Sequence, residues 1–187
     1  MRYIFVAVTA LAALFSGATA GPSEVEAAAL VPNACTSDMP AGLGPTVVGS
    51  PDTPAAFLNY AGFANDATST TVLAGYTNVA NNQKAWAEKT TTTSMGWLNL
   101  ANYDVTGCGT YCNNTAGCLS FDIFYQRSPT LAPSFNSSCP NPPSMTSVMC
   151  WIYSTAMTPA DLVNTGETRG QFQVVIAGSN LFNKIVP

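Results

Sequence analysis

Histidine is absent from the 187-residue chain. That one absence removes the base from Ser-His-Asp and Cys-His nucleophile pairs, the ligand from His-bound zinc sites, and the commonest acid/base group near neutral pH. Charge is scarce as well: Asp, Glu, Lys and Arg make up 9% of the residues, against roughly 25% in an ordinary globular chain. Six Lys and Arg face ten Asp and Glu, so no basic face exists on which a phosphate backbone can sit, and nucleic acid is excluded as a partner. No Asp-x-Asp-x-Asp-Gly loop offers a calcium site, and no cofactor is implied by any motif. Apolar residues nevertheless reach 47%, which excludes a charge-rich disordered scaffold and supplies one sizeable core.

What is present begins with a leader. Arg2, an apolar run over residues 4–15 and the small-x-small ending Ala18-Thr19-Ala20 read as a secretory signal peptide over residues 1–20, cleaved before Gly21. The run is about a dozen residues, short of the roughly 20 that a membrane-spanning helix needs. A mature chain beginning at Gly21 also lacks the N-terminal histidine on which a copper-dependent oxidative enzyme relies. Gly178, Ser179, Asn180, Asn183 and Lys184 interrupt the C-terminal stretch, so a glycolipid-anchor tail is not expected. The expectation is a secreted protein, extracellular or in a cell wall, with no membrane span.

All six cysteines, Cys35, Cys108, Cys112, Cys118, Cys139 and Cys150, follow the leader. An even count in an exported chain reads as three disulfides, and without a Cys-x2-Cys knuckle no zinc site is expected. Asn113-Asn114-Thr115 and Asn136-Ser137-Ser138 are glycosylation sequons, which makes Asn113 and Asn136 candidate glycan attachment points.

Residues 21–50, rich in Ala, Gly, Pro and Val, read as an extended arm that Cys35 can pin. In residues 51–94 a helix starts where Thr53 can cap free amides and Pro54 can take the first helical position. Thr/Asn-rich loops with one or two short strands follow, with Val72, Leu73, Tyr76 and Trp86 as core material. Residues 95–187 form the main module. Residues 95–100 read as a strand, and Asp104 can cap a short helix on which Cys108 and Cys112, four apart, share a face. Leu119, Phe121, Ile123 and Tyr125 then alternate with Ser120, Asp122, Phe124 and Gln126, the pattern of a half-buried strand. Residues 150–153 and 172–176 read as further strands, the second nearly continuous and therefore central. The five prolines in residues 128–149 read as loop. The fold class is α+β: a small antiparallel sheet with one short helix stapled to it by disulfides, plus the N-terminal arm.

Cys108-x3-Cys112-x5-Cys118-x2-Phe121, the run Asp122-Ile123-Phe124-Tyr125-Gln126-Arg127-Ser128-Pro129, Cys139-Pro140-Asn141-Pro142-Pro143-Ser144, Cys150 and Phe172-Gln173-Val174-Val175-Ile176-Ala177-Gly178-Ser179-Asn180 follow one another in the module. In these motifs, over about residues 95–181, the chain resembles the PAN/apple modules of extracellular proteins, and more closely a group of secreted fungal cysteine-rich proteins with a PAN-like core. The resemblance implies a disulfide pairing of Cys112 with Cys118, Cys108 with Cys150 and Cys35 with Cys139. It also implies a role in recognition. The chain departs from those relatives at Tyr125-Gln126-Arg127-Ser128-Pro129, where they commonly read Phe-Glu-Arg-Asp-Pro, and at Gly166-Glu167-Thr168-Arg169, where they commonly read Gly-Gln-Trp-Arg.

A hydrolase acting on polysaccharide needs only a pair of carboxylates, and Asp104, Asp122, Asp161 and Glu167 are the acids of the module. No flanking motif marks any of them, and caps or surface acids are the simpler account. Aromatic residues are concentrated in the same region: Trp97, Tyr103, Tyr111, Phe124, Tyr125 and Trp151. Aromatic faces beside amides are what sugar-ring stacking and protein hot spots use. Trp97, Tyr125, Arg127 and Trp151 are the candidate ligand-binding residues, with core packing the alternative for the aromatics and pairing with Asp122 the alternative for Arg127. The expected function is non-enzymatic recognition of an extracellular glycan or protein, on a fungal wall or a host surface. A small hydrolase and a structural wall protein without a discrete ligand are the competing readings.

Overall fold

A computed structural model describes residues 50–89, 93–133 and 139–186. Helix α1 (Pro54–Leu58) starts as its capping chemistry dictates, with Thr53 Oγ1 accepting the Ala56 N–H at 3.2 Å and Pro54 in the first turn. Helix α2 (Ala61–Ser69) and the eight-residue strand β1 (Tyr76–Gln83) occupy much of the stretch expected to be loop. Their polarity hides them in the sequence, because their polar groups are spent on local and cross-element hydrogen bonds. Thr68 and Thr70 hydroxyls donate back to the carbonyls of Ala64 and Asp66, both at 2.7 Å, and Asn81 Nδ2 donates to the carbonyl of Ala67 at 2.9 Å. The two-residue strand β2 (Trp86–Ala87), strand β3 (Ser94–Leu100) and helix α3 (Val105–Asn114) follow. Asp104 caps α3 as expected, Oδ1 accepting the Gly107 N–H at 2.8 Å.

Strand β4 (Ser120–Pro129) and strand β5 (Ser144–Tyr153) leave a shorter proline-rich connection than expected. After a 3-10 turn at Pro159–Asp161 come β6 (Leu162–Asn164), the short hairpin of β7 (Thr168–Arg169) and β8 (Phe172–Gln173), and β9 (Ile176–Lys184). The expected central strand at 172–176 is thus divided. Its first two residues belong to the hairpin, and the long strand begins where the apolar run ends. Ser179 and Asn180 are fully buried in β9, a burial that their hydrogen bonds offset: Ser179 Oγ donates to Asp122 Oδ1 at 2.8 Å and Asn180 Nδ2 to the Ala67 carbonyl at 2.8 Å.

The five long strands form one antiparallel sheet in the order β1-β9-β4-β5-β3, with β4 at its centre. A strand's side chains alternate between faces. Phe121, Ile123, Tyr125 and Arg127 therefore point one way, and Ser120, Asp122, Phe124, Gln126 and Ser128 the other. The expected half-burial of β4 is exceeded: every residue but Gln126 is buried. Both faces of the sheet are covered, one by the helices and the other by β2 and β6, while the β7–β8 hairpin reaches both: Phe172 lies against Arg127 on the helix side, and Arg169 lies on the other. Residues 51–94 supply an edge strand and two helices to this same sheet.

On the helix face, Phe57, Phe63, Val105, Phe121, Ile123, Val148, Ile152 and Phe182 form the main core. Fully burying such side chains contributes about 2 kcal/mol each. Cys108 is bridged to Cys150, and Cys112 to Cys118, so α3 is fastened to β5 from one of its buried sulfurs and to the chain leading into β4 from the other. Gly178, at φ +61°, lies where β9 runs against α2; a Cβ there would stand 3.0 Å from the Phe63 carbonyl oxygen. The described residues all fall in the compact unit Asn33–Pro187. Among them no helix is long and apolar enough to cross a membrane. Cys139 is disulfide-bonded. The expected arm, Cys35 and Asn136 lie outside the described residues.

Candidate functional site

The second face of the sheet is built in cross-strand rows. Trp97 of β3 lies opposite Trp151 of β5, and Trp151 lies opposite Asp122 of β4. In the next row Asn99, Met149 and Phe124 are neighbours, and then Ser147 and Gln126. Across this surface β2 lays Trp86, whose ring is 4.5 Å from that of Trp151 and 5.8 Å from that of the buried Phe124. The ring of Trp97 is 6.3 Å from Trp151 and stacked on it. The chain has three tryptophans, and all three line one open groove of about 360 Å³. Met149 and Ile176 add to its apolar floor; Asn99, Gln126, Asn164, Glu167 and Arg169 supply polar groups around it. Trp151 is held in orientation by its indole N–H, which donates to Ser94 Oγ at 2.6 Å.

Two short elements wall the groove. On one side β2 pairs with β6. The backbone of Ala87 is gripped from below: its N–H donates to Asp122 Oδ2 at 2.7 Å, and its carbonyl accepts the Tyr153 hydroxyl. Asp122 is fully buried, and burial pushes its carboxyl up to about 8 against the opposing pull of the hydrogen bonds from Ala87 and Ser179. On the other side stands the β7–β8 hairpin, carrying Glu167 and Arg169, whose Oε1 and Nε meet at 2.7 Å. The hairpin leaves β6 through Gly166 at φ +114°, where a Cβ would stand 2.0 Å from the Val174 carbonyl oxygen. No L side chain fits that turn. Its N–H donates to Asn164 Oδ1 at 2.9 Å.

The structure divides the four candidate ligand-binding residues into two pairs. Trp97, 40% exposed, and the half-buried Trp151 are brought together in the groove. Tyr125 and Arg127 point to the opposite face and are buried, which takes them out of any ligand-binding surface. Tyr125 stacks between Phe63 and Tyr103, and its hydroxyl donates to Asp66 Oδ2 at 2.5 Å. Arg127 pairs not with Asp122, which faces the other way, but with Asp52, Nη2 to Oδ1 at 2.9 Å. It also donates from Nη1 to the Gln173 carbonyl at 2.9 Å, and its guanidinium lies 4.1 Å from the centre of the Phe172 ring. Burial alone would raise the Asp52 carboxyl, but hydrogen bonds from the Ser144 side chain and backbone and from Arg127, with the Arg127 charge, hold it below its usual range.

Trp86, expected as core material, lines the groove instead. Its one signal was isolation, a lone large aromatic between two alanines in a polar stretch. Among the four acids considered for hydrolysis, Glu167 alone lines the groove. Asp104 caps α3, Asp122 lies beneath β2, and Asp161 accepts from Thr158 in a capping box and pairs with Lys89. Among the described residues no group of three or more Cys, Asp or Glu is placed to hold a metal ion. Asn113 is exposed on α3, with Oδ1 accepting the Tyr76 hydroxyl at 3.0 Å. The chain matches no protein-family model, no curated protein and no solved structure, so the resemblance to PAN/apple modules rests on its motif residues alone.

Proposed function

We propose that this protein is a secreted, PAN/apple-like binding module whose tryptophan groove holds a glycan of a cell wall or host surface. The observation that carries this reading is the convergence of all three tryptophans, drawn from β2, β3 and β5, on one open groove with amide side chains around it. Sugar rings present C–H faces to aromatic rings and hydroxyls to amides, and a groove with an aromatic floor and a polar rim offers both. Binding without hydrolysis is favoured over the hydrolase reading because Glu167, the one carboxylate among the described groove residues, is already bonded to Arg169, and Glu88, two residues beyond Trp86, accepts from Asn164, whereas glycoside cleavage needs a facing pair of carboxyls. Export is supported by the leader pattern and the disulfides.

The test is retention of the secreted protein on insoluble chitin, β-glucan and cellulose, with soluble sugar assayed in the same tubes. Saturable retention without sugar release, lost in Trp97→Ala and kept in Tyr60→Ala at an exposed aromatic outside the groove, is the expected result. Sugar release would replace the reading with the hydrolase, and absence of retention on every matrix would turn the search to protein ligands.

A further inference from the structure

Resting on the glycan reading above, we propose that the groove is one part of a longer cleft, and that the cleft takes a linear, uncharged oligosaccharide crossing the paired rings of Trp86 and Trp151. A second cavity of about 240 Å³ is lined by Trp86 and Trp151 together with residues that do not line the groove, Glu88, Lys89, Thr93 and Ser94 among them. The two rings, 4.5 Å apart, are therefore a shared wall between two cavities. The polar groups link across it as well. Asn164, a groove residue, donates from Nδ2 to Glu88 Oε2 of the second cavity at 2.8 Å, and the Trp151 indole of the groove is tied to Ser94 of the second cavity. A ligand short enough for the groove alone meets one side of this wall; a longer chain crosses it.

The charges specify the class of sugar. Among the described lining residues each cavity holds one carboxylate and one cation, Glu167 with Arg169 in the groove and Glu88 with Lys89 in the second cavity. Glu167 and Arg169 neutralise each other directly, and Lys89 lies 3.7 Å from Asp161. Among these residues neither cavity holds an unpaired cation for a uronic-acid chain, and the carboxylate left over, Glu88, is engaged by Asn164; the chain's net charge of −4 opposes a polyanion at long range.

The test is a titration of the isotope-labelled protein with a cello-disaccharide and a cello-hexasaccharide, read from the indole N–H and backbone amide signals by NMR, with a hexameric oligogalacturonide and a hexameric chitosan as charged controls. The expected result is that both neutral ligands shift the indole signals of Trp97 and Trp151. The hexasaccharide alone also shifts the amides of Lys89, Thr93 and Ser94 and binds about tenfold more tightly, the gain of roughly one further stacked ring. Lys89→Ala should keep the disaccharide affinity and lose part of the hexasaccharide's advantage. Equal affinity for both lengths with no shift at Lys89, Thr93 or Ser94 would overturn the longer cleft while leaving the groove reading intact. Tighter binding of either charged hexamer would overturn the uncharged class. Binding of none of the four would overturn this proposal and, with no retention on chitin or β-glucan, the glycan reading as well.

Discussion

The two faces of the central sheet use the same strands and opposite strategies. On the helix face, aromatic and aliphatic side chains from every layer close over one another, two disulfides fasten α3, and the charged Arg127 is buried against Asp52 and Phe172. On the opposite face the cover is thin, a two-residue strand and a short hairpin, and three indoles lie open between them. The lesson is that large aromatics do not by themselves mark a core. Phe121 and Trp151 sit on neighbouring strands of one sheet; what separates a packing residue from a ligand platform is how much chain the fold brings down on top of it.

The contrast should first be broken on the helix face. Replacing both Cys108 and Cys150 by alanine frees a loop of 42 residues and should lower stability by about 4 kcal/mol, or about 10 °C in melting temperature for a chain of this size. The same replacement of Cys112 and Cys118, whose separation is 6, should lower it by about 2 kcal/mol. Calorimetry of the two variants would show equal losses if the loop-closure account were wrong. Next in size is Arg127→Met, which removes the guanidinium from Asp52, Phe172 and the Gln173 carbonyl; about 2 kcal/mol should be lost in chemical denaturation, less than for a fully enclosed pair because Asp52 is 31% exposed.

The two faces should also answer pH in opposite directions. Asp122 holds its proton in the folded state up to about 8, whereas an unfolded Asp releases it near 4. The native state thus binds more protons across that window, and stability falls as pH rises through it. Asp122→Asn should flatten this decline and be the more stable protein above neutral pH, by a kcal/mol or more, about 3 °C. Asp52, depressed in the folded state, contributes stability that is present above the ordinary Asp range and lost as pH falls below it. Asp52→Asn should therefore weaken the protein at neutral pH and make it less sensitive to acid. Melting temperatures across a pH series would show both, and parallel curves for either variant and the wild type would refute its assignment. The smallest effect on stability should come from Trp97→Ala, within about 1 kcal/mol at a site this exposed, while glycan binding falls about tenfold.

The parts of this architecture that could be read from the sequence are those where one residue type leaves little choice. Thr53-Pro54 and Asp104 mark helix starts because a capping oxygen and a proline ring have few other uses there. The alternation at residues 119–126 yields a strand because its period is 2. What could not be read was the role of polar residues that are buried in pairs. The asparagines of β1 and β9 look like loop chemistry until Asn81 and Asn180 are seen sharing a hydrogen bond at 3.1 Å and the carbonyl of Ala67. Arg127 followed the same rule, since Asp52, its partner, is 75 positions away. The groove escaped for a related reason: Trp97 and Trp151 meet only through strand register, and Trp86 arrives on a strand of two residues.

The collection of every indole on one surface has a practical consequence. Tryptophan emission from this molecule originates wholly at the groove, since Trp86, Trp97 and Trp151 are the complete set. Their three positions come together only when β2, β3 and β5 are in register. Ring spacings of 4.5 and 6.3 Å couple them closely. The unlabelled protein thus carries a single optical gauge that reads assembly of the sheet and occupancy of the cleft at the same place.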